Sequence, residues 1–429
     1  MRAHRLALST VTVLGLVAGL CAAAGAQTRH PSVVDDNPAN TTPHLADDGS
    51  GAQPRVLALA RRKGIIYAGG LFSKVSSPQR RFTKERRNIA AFKAKTGAFT
   101  SFAPKVNGPV WSVRTTRNAV YIGGAFTKVN GIRRPGLAKL KPRSGKVDRS
   151  FRAPFDRGRV TDLALVDGRL IAAGTFPRKL IALRPDTGRA TGYIKPRVRG
   201  NLVPQGFPKT GVFRFAVSPN GKRLVAVGNF TTVAGRERDR AFMLRLRSKA
   251  ARLSPWWYEP LGRQCASGGP TRLPYLQDVD FAPSGRYFVV VSTGYIVPSP
   301  TDIGTMVCDA AARFETDVMS PSQPTWINYT GGDTLHSVAV TGAAVYVQGH
   351  SRWLDNPFGQ DSAGPGAVDR RGGGAINPAT GKAKRWNPHM PNRIGGYTFL
   401  ATPRGLWIGR DGKRIGGEYH RGIAFMPLR

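Results

Sequence analysis

The most regular feature of the chain is a short hydrophobic stretch that runs into small residues and then a Phe-Thr-like step. It recurs at intervals of about 50 to 64 residues. The clearest copies are residues 65–75 and 119–131, and weaker copies lie at 170–176, 224–231, 288–292, 345–349 and 406–409. Helical periodicity is nearly absent outside the N-terminus, so the pattern predicts a repeated β-unit.

Each unit is predicted to hold four short strands, which in the second unit are residues 110–114, 120–126, 137–141 and 146–151. Four strands at a period near 50 residues is typical of β-propeller blades, which bury their faces only against neighbouring blades. The first strands align at residues 56–60, 110–114, 160–164, 212–216, 276–280, 335–339 and 396–400. The sequence therefore predicts an all-β chain with about seven four-stranded antiparallel blades, and one propeller domain over residues 55–429.

The predicted turns between third and fourth strands share a Thr-Gly or Ser-Gly pair. These pairs are Thr96-Gly97, Ser144-Gly145, Thr187-Gly188 and Thr380-Gly381. Glycine supplies the positive φ that a tight hairpin needs.

The last unit ends with residues 423–428, and nothing follows that could form its fourth strand. An uncovered edge strand invites aggregation. We therefore expect part of residues 37–48, within a polar leader spanning 27–54, to supply the missing strand and close the ring.

Residues 1–26 have the pattern of a secretory signal. Arg2 and Arg5 precede the apolar run 6–20, and Ala24-Gly25-Ala26 forms a small-residue cleavage site. The run is shorter than the roughly 20 residues that span a bilayer, which disfavours the alternative of a membrane anchor. We expect a secreted, extracellular protein that begins near Gln27 and has no transmembrane segment.

Cys265 and Cys308 are the cysteines that remain once the signal is removed. In an exported protein a lone pair is interpreted as a disulfide. Their wide separation is unlike a redox Cys-x-x-Cys site, so we expect a structural bond between loops on one face of the propeller.

The formal net charge of +40 predicts attraction to polyanions. Many of the basic residues fall between second and third strands, whose loops open on one face of a propeller. The candidate ligand-binding set is Arg80, Arg81, Arg133, Arg134, Arg236, Arg238, Arg370 and Arg371. Guanidinium groups bind phosphate and carboxylate bidentately. The alternative is that the charge reflects a generally basic composition and a solvated surface.

The third position of the aligned first strands forms a mostly small, polar column near the predicted axis, containing Asp162, Arg214 and Asp278 on consecutive units. His336 lies one position earlier in its strand. These four residues are a candidate ligand or cation site at one end of the channel, or an ion-paired cluster where the blades converge. As a catalytic site they would belong to a polysaccharide hydrolase or lyase.

No catalytic, metal-binding or phosphate-cradling motif is present in the sequence, so we expect no cofactor and no metal. The leading hypothesis is an exported, non-enzymatic binding module, and the extracellular hydrolase or lyase is the alternative. The expected partner is an anionic polymer or protein at the cell surface. The basic loops lack interleaved aromatic residues, so nucleic acid is a poor specific target. We expect a monomer.

The Gly-Gly-x-Phe-Thr-x-Val-x-Gly pattern at 123–131, with Leu137-Ala138-Lys139-Leu140 and the Ser144-Gly145 turn, resembles the delta-sixty repeat of secreted bacterial β-propellers. The likeness spans most of 55–429 and is specific in the first two repeats. The Tyr-x-Gly-Gly step is similar to kelch repeats, and residues 183–188 are similar to quinoprotein-like repeats. The resemblance implies the fold and an extracellular setting. It supplies no catalytic residues, because the family's activity is largely undefined.

Overall fold

A computed structural model of the chain describes residues 27–201, 209–265, 275–390 and 395–429. The predicted signal, residues 1–26, lies outside this part. The described residues form strands joined by turns, with two short 3-10 helices at Glu259–Gly262 and Pro300–Asp302. No helix in these ranges is both long and apolar enough to cross a membrane.

The main sheets, numbered I to VII in chain order, each begin with three antiparallel strands paired in the order first, second, third. The first strands are Arg55–Arg62, Val110–Thr115, Val160–Val166, Gly211–Val217, Leu276–Phe281, Leu335–Val340 and Gly396–Thr402. The second strands are Ile65–Leu71, Val120–Gly124, Arg169–Gly174, Arg223–Asn229, Tyr287–Ser292, Val345–Gly349 and Gly405–Arg410. The third strands are Ile89–Lys93, Leu137–Leu140, Leu180–Leu183, Ala241–Leu246, Ala310–Glu315, Gly373–Ile376 and Ile423–Pro427.

The expected fourth strand is complete in sheets IV and V, as Ala251–Leu253 and Trp326–Tyr329. In sheets I, II, III and VI it is reduced to a single bridge, at Phe99, Val147, Ala190 and Ala383. The strand of sheet V contains aromatic and β-branched residues, whereas most of the reduced segments contain small or charged residues with low strand propensity. The outermost layer is therefore thinner than the sequence pattern predicts.

The connections between second and third strands form small ribbons in five units. Their strands are Lys74–Ser76 with Thr83–Glu85, Lys128–Val129 with Ile132–Arg133, Thr232–Val233 with Arg236–Glu237, Trp353–Leu354 with Val368–Asp369, and Arg414–Ile415 with Glu418–Tyr419. Two ribbons gain a third strand from the chain before their sheet. His44–Ala46 pairs with the first ribbon, and Val198–Arg199 pairs with the ribbon of unit IV.

The core consists of separate apolar clusters between successive sheets, and the glycines of the repeated motif explain the close packing. A Cβ atom on Gly69 would lie 2.6 Å from Cγ1 of Val110, and one on Gly123 would lie 2.6 Å from Cγ1 of Val160. Only glycine lets the next first strand approach this closely. Sheet VII packs on sheet I in the same way, since a Cβ atom on Gly409 would lie 2.8 Å from Cγ1 of Val56.

The N-terminal segment runs along the outer edge of sheet VII. The amides of Asp35 and Ala39 donate to the carbonyls of Pro427 (2.7 Å) and Phe425 (2.8 Å). Further along, the amide of Leu45 donates to the carbonyl of Arg421 at 2.8 Å, and the Leu45 side chain is fully buried. The segment therefore makes backbone hydrogen bonds to the last strand of sheet VII and to the residues just before it.

The predicted disulfide is confirmed, with the Cα atoms of Cys265 and Cys308 5.8 Å apart. All four predicted Thr-Gly and Ser-Gly turns also have glycine at positive φ. The angles are 68° at Gly97, 69° at Gly145, 78° at Gly188 and 72° at Gly381.

Candidate functional site

A cavity of about 870 Å³ is lined by residues of the first strands, including most of the predicted polar column. Ala58, Ser112, Asp162, Arg214, Asp278 and Thr398 all line it, whereas Ser337 does not. Trp111, which is partly exposed, also contributes to the wall. The sequence alignment therefore identified the wall of an actual cavity.

A β-bulge near the start of every first strand explains how the column faces the cavity. The register between first and second strands shifts at Leu57, Trp111, Thr161, Phe213, Gln277, His336 and Tyr397. An extra residue at this point re-aims the side chains that follow it. The bulge is a repeated feature that the hydrophobic pattern did not reveal.

The two predicted carboxylates link neighbouring sheets. Asp162 accepts from the amide of Leu163 (2.8 Å) and, in sheet IV, from the amide of Phe215 (3.2 Å). Asp278 makes the equivalent bonds to Val279 (3.0 Å) and to Val338 of sheet VI (3.1 Å). Each carboxylate thus satisfies buried backbone donors across a sheet boundary, which is a structural task.

Arg214 lies between these two acids along the column. Its guanidinium donates to the carbonyls of Thr161 and Trp111. Burial raises the pKa of Asp278 to about 7, and the nearby charge of Arg214 opposes that rise. Asp162 forms an ion pair with Arg114 at 3.3 Å, whereas Arg214 is bonded to backbone carbonyls. The cluster is therefore held mainly by hydrogen bonds to the backbone.

His336 does not join the other three predicted residues. It is the bulge residue of sheet VI, and its ring stacks on Tyr397 with centroids 5.5 Å apart. Burial lowers its pKa to about 4, so the imidazole is neutral near pH 7. The cavity therefore contains Asp162, Arg214 and Asp278, while His336 is absent from its lining.

Residues near the N-terminal end of the described chain occupy part of this cavity. Gln27 and Thr28 line it, and Nε2 of Gln27 donates to Oδ1 of Asp280 at 2.6 Å. Asp280 also accepts from the amide of Val340 at 2.8 Å, and burial raises its pKa to about 6. Within the described ranges, no three His, Cys, Asp or Glu side chains are arranged to hold a metal ion.

The eight predicted arginines fall into two groups. Arg80, Arg81, Arg133, Arg236 and Arg371 are exposed, whereas Arg134 and Arg238 are buried and Arg370 is half-buried. Among the exposed group, Arg371 pairs with Asp369 at 3.4 Å, and the guanidinium of Arg80 lies 4.7 Å from the ring centroid of Tyr419. Only part of the predicted set is therefore free to meet a ligand.

The arginines of the second group bind backbone carbonyls. Arg134 donates to the carbonyl of Arg133 at 2.8 Å and to the carbonyls of Asp148 (3.4 Å) and Arg149 (3.3 Å) in the fourth segment. Arg238 bonds in the same way to Glu237, Ser254 and Pro255, and Arg370 to Asp369 and Lys384. These guanidinium groups link the ribbon of their unit to the outermost segment of the same sheet.

Arg86, which is outside the predicted set of eight, makes the equivalent bonds to the carbonyls of Glu85 (2.8 Å) and Thr100 (3.2 Å). We call Arg86, Arg134, Arg238 and Arg370 the clamp arginines. Each lies three residues before its third strand, and burial lowers the pKa of each. That fixed spacing is a signal in the sequence that could have separated them from exposed arginines.

The residue just before the third strand has positive φ in every unit. These residues are Asn88 (62°), Gly136 (69°), Lys179 (60°), Arg240 (61°), Asp309 (41°), Gly372 (74°) and Gly422 (85°). Glycine and asparagine favour this conformation, whereas lysine and arginine do not. The backbone conformation at this position is therefore the same in all seven units, although the residue type varies.

One comparison with known proteins names this kind of architecture. A family model described as a domain of unknown function (DUF5122) beta-propeller matches residues 119–151, from the second strand of sheet II through its fourth segment. No curated protein matches the chain. The crystal structure of the computationally designed Ika8 protein is similar at 11% sequence identity, with a TM-score of 0.46, over 90% of this chain and 98% of that one.

The all-β fold of the described residues and the family match over residues 119–151 together support a β-propeller.

Proposed function

We propose that sheets I to VII are the blades of a seven-bladed ring closed by the N-terminal segment. Three contacts support this proposal: Gly409 against Val56, the ring of Phe92 5.7 Å from that of Trp407, and the amide bonds of Asp35 and Ala39 to the last strand. In such a ring the connections between second and third strands all emerge on one face, which we call the ribbon face.

The ring is, in this proposal, an exported and non-enzymatic module that binds an anionic partner, polymer or protein, through the ribbon face. The observation that carries it is the exposure of Arg81, Arg133 and Arg236, whose side chains have no carboxylate partner among the described residues. Arginine left solvated in this way can bind phosphate or carboxylate without first breaking an ion pair. The acids of the cavity are instead engaged by backbone amides, which favours binding over catalysis.

The test uses the mature chain, residues 27–429, and sodium polyphosphate as the probe, with neutral dextran as the blank. Replacing Arg81, Arg133, Arg236 and Arg371 together by Gln should weaken binding at least tenfold. It should also reduce the dependence of affinity on salt, because fewer counterions are released. The clamp arginines stay in place, so the fold is preserved.

A matched control removes the same charge from the opposite face. Lys63, Arg117, Lys141 and Arg143 are exposed in turns between first and second or third and fourth strands. Replacing them by Gln should leave binding within twofold of the parent. Equal losses in the two variants would mean that only overall charge matters, and would contradict the proposal.

A further inference from the structure

A groove on unit IV has four cationic side chains that the sequence patterns did not single out. Its volume is about 650 Å³, and its cationic residues are Lys195, Arg197, Arg199 and Arg252. All four are exposed, and no hydrogen bond or ion pair joins their side chains to any other described residue. No acidic residue lines the groove.

The four cationic residues lie on two sides of the groove, and small uncharged residues lie between them. Lys195, Arg197 and Arg199 alternate along the extended segment before sheet IV, and Val198 between them is buried and paired with Val233. Alternate residues of an extended chain are about 7 Å apart and point to the same side. Arg252 contributes from the outer strand, and Ala234, Gly235, Ala250 and Ala251 are among the small residues between the walls.

The equivalent place in unit II shows why the groove is open here. The amide of Ala234 donates to the carbonyl of Arg197 at 2.9 Å, just as the amide of Asn130 donates to the carbonyl of Lys105 at 2.8 Å. In unit II the Asn130 side chain accepts from the amide of Lys105 (2.7 Å) and donates to the carbonyl of Gly145 (3.1 Å). Ala234 has no such side chain, so the space remains empty.

The charges also differ between the two units. By the pairing of Val198 with Val233 and of Val106 with Val129, the positions of Lys195, Arg197 and Arg199 correspond to Ala103, Lys105 and Asn107. Leu140 in unit II and its counterpart Leu244 in unit IV pair with Val147 and Leu253, so Arg252 corresponds to Lys146. Unit II thus has two cations where unit IV has four.

We infer that this groove is the binding site for a linear polyanion that carries phosphate groups, an inference that rests on the proposed anion-binding function. Successive cations on one wall can meet successive charges of a polymer. A phosphate group offers more acceptor oxygens than a carboxylate, so guanidinium groups on opposite walls can contact it from two sides. The ribbon of unit IV, which carries Arg236, continues the groove onto the ribbon face.

The first test fills the groove without changing charge. Ala234 has a φ of 52°, a conformation that asparagine tolerates better than alanine does, so Ala234→Asn should fold at least as stably as the parent. The new amide should occupy the space that Asn130 occupies in unit II. We expect the affinity for polyphosphate to fall at least fivefold, with an unchanged or higher midpoint of thermal unfolding.

The second test removes charge. The double variant R197Q/R252Q should bind polyphosphate at least tenfold more weakly, and the slope of log affinity against log salt should fall by about two. The matched control, K105Q/K146Q in unit II, removes the same charge at the equivalent positions and should bind within twofold of the parent. Polygalacturonate of equal charge should bind the parent clearly more weakly than polyphosphate does.

The outcomes separate this inference from the function on which it rests. If the parent binds no polyanion, both fall. If the ribbon-face variant loses binding while Ala234→Asn and R197Q/R252Q retain it, the groove is not the binding site, but the proposed anion-binding function stands. If polygalacturonate binds as tightly as polyphosphate, the assignment to phosphate is overturned.

Discussion

Arg133 and Arg134 are neighbours in the sequence with opposite environments. The Arg133 side chain is exposed on the ribbon of unit II, whereas Arg134 is 6% exposed and its guanidinium bonds to the carbonyls of Arg133, Asp148 and Arg149. One arginine of the pair is free to meet a ligand, and the other holds the ribbon to the outer edge of its sheet.

Replacing Arg134 by Ala should destabilise the fold while replacing Arg133 by Ala should not. Loss of the buried guanidinium leaves carbonyl groups without donors, so we expect a decrease of about 2 to 3 kcal/mol in the free energy of unfolding. Arg133→Ala should change it by less than about 0.5 kcal/mol. Urea denaturation of both variants measures the difference, and Arg238→Ala against Arg236→Ala repeats the comparison in unit IV. Equal effects within each pair would refute the clamp assignment.

Removing the N-terminal segment should cost much of the stability. A chain that begins at residue 51 loses the amide bonds to the last strand and the buried side chains of Val34 and Leu45. Each buried aliphatic side chain contributes about 1.5 to 3 kcal/mol. The milder variant Leu45→Ala should lower the free energy of unfolding by about 2 to 5 kcal/mol. An unchanged thermal midpoint for the chain beginning at residue 51, relative to one beginning at residue 27, would exclude a closing role.

Reduction of the bond between Cys265 and Cys308 should destabilise the protein by up to about 4 kcal/mol, by loop-closure entropy over the 43-residue separation. Thermal unfolding with and without dithiothreitol measures this effect. The Cys265→Ser/Cys308→Ser variant should match the reduced protein and show no response to the reductant. A response in that variant would show that the reductant acts elsewhere.

Asp309 should make the protein less stable as pH rises through neutrality towards 8. Burial raises its pKa to about 8, and it accepts from the amide of Tyr295 (2.7 Å) and the hydroxyl of Thr334 (3.3 Å). The folded state therefore keeps a proton that the unfolded chain, with the ordinary aspartate pKa, has released. Stability falls with rising pH until the folded pKa is passed.

Asp309→Asn imitates the protonated form and should remove this dependence. Between pH 6.5 and 8 the variant should gain stability relative to the parent by up to about 1 kcal/mol per pH unit. Measurements start at pH 6.5 because burial also lowers the pKa of His44 and His336 to about 4, which gives the opposite slope at lower pH. Parallel pH profiles for variant and parent would contradict the role given to Asp309.

Much of the fold could be predicted from local pattern. The first strands, the Thr-Gly turns and the cysteine pair follow from residue types at regular spacing, because strand alternation and tight-turn geometry depend on near neighbours. The fourth strands were predicted less well. Outer strands such as that around Val147 contact one neighbour only, so their pairing depends on the sheet beneath them.

The candidate site could be predicted only in part. Asp162, Arg214 and Asp278 line one cavity because equivalent positions in a repeat face the same way, whereas His336 lies at the bulge of its strand and stacks on Tyr397. The exposed and the buried arginine of each pair cannot be told apart by residue type. They differ only after folding, when backbone carbonyl groups come within hydrogen-bonding distance of the buried guanidinium.

The sequence alone determined that this chain repeats a strand-rich unit, carries a large positive charge and holds one pair of cysteines in the loops of the fifth unit. The tertiary structure decided which of those charges remain free. A guanidinium in solution and one beneath a ribbon are the same group, but the carbonyls of Asp148 or Ser254 approach it only after distant segments pack. The open groove at Ala234 arises in the same way, from the absence of one side chain between two walls that are remote in the chain.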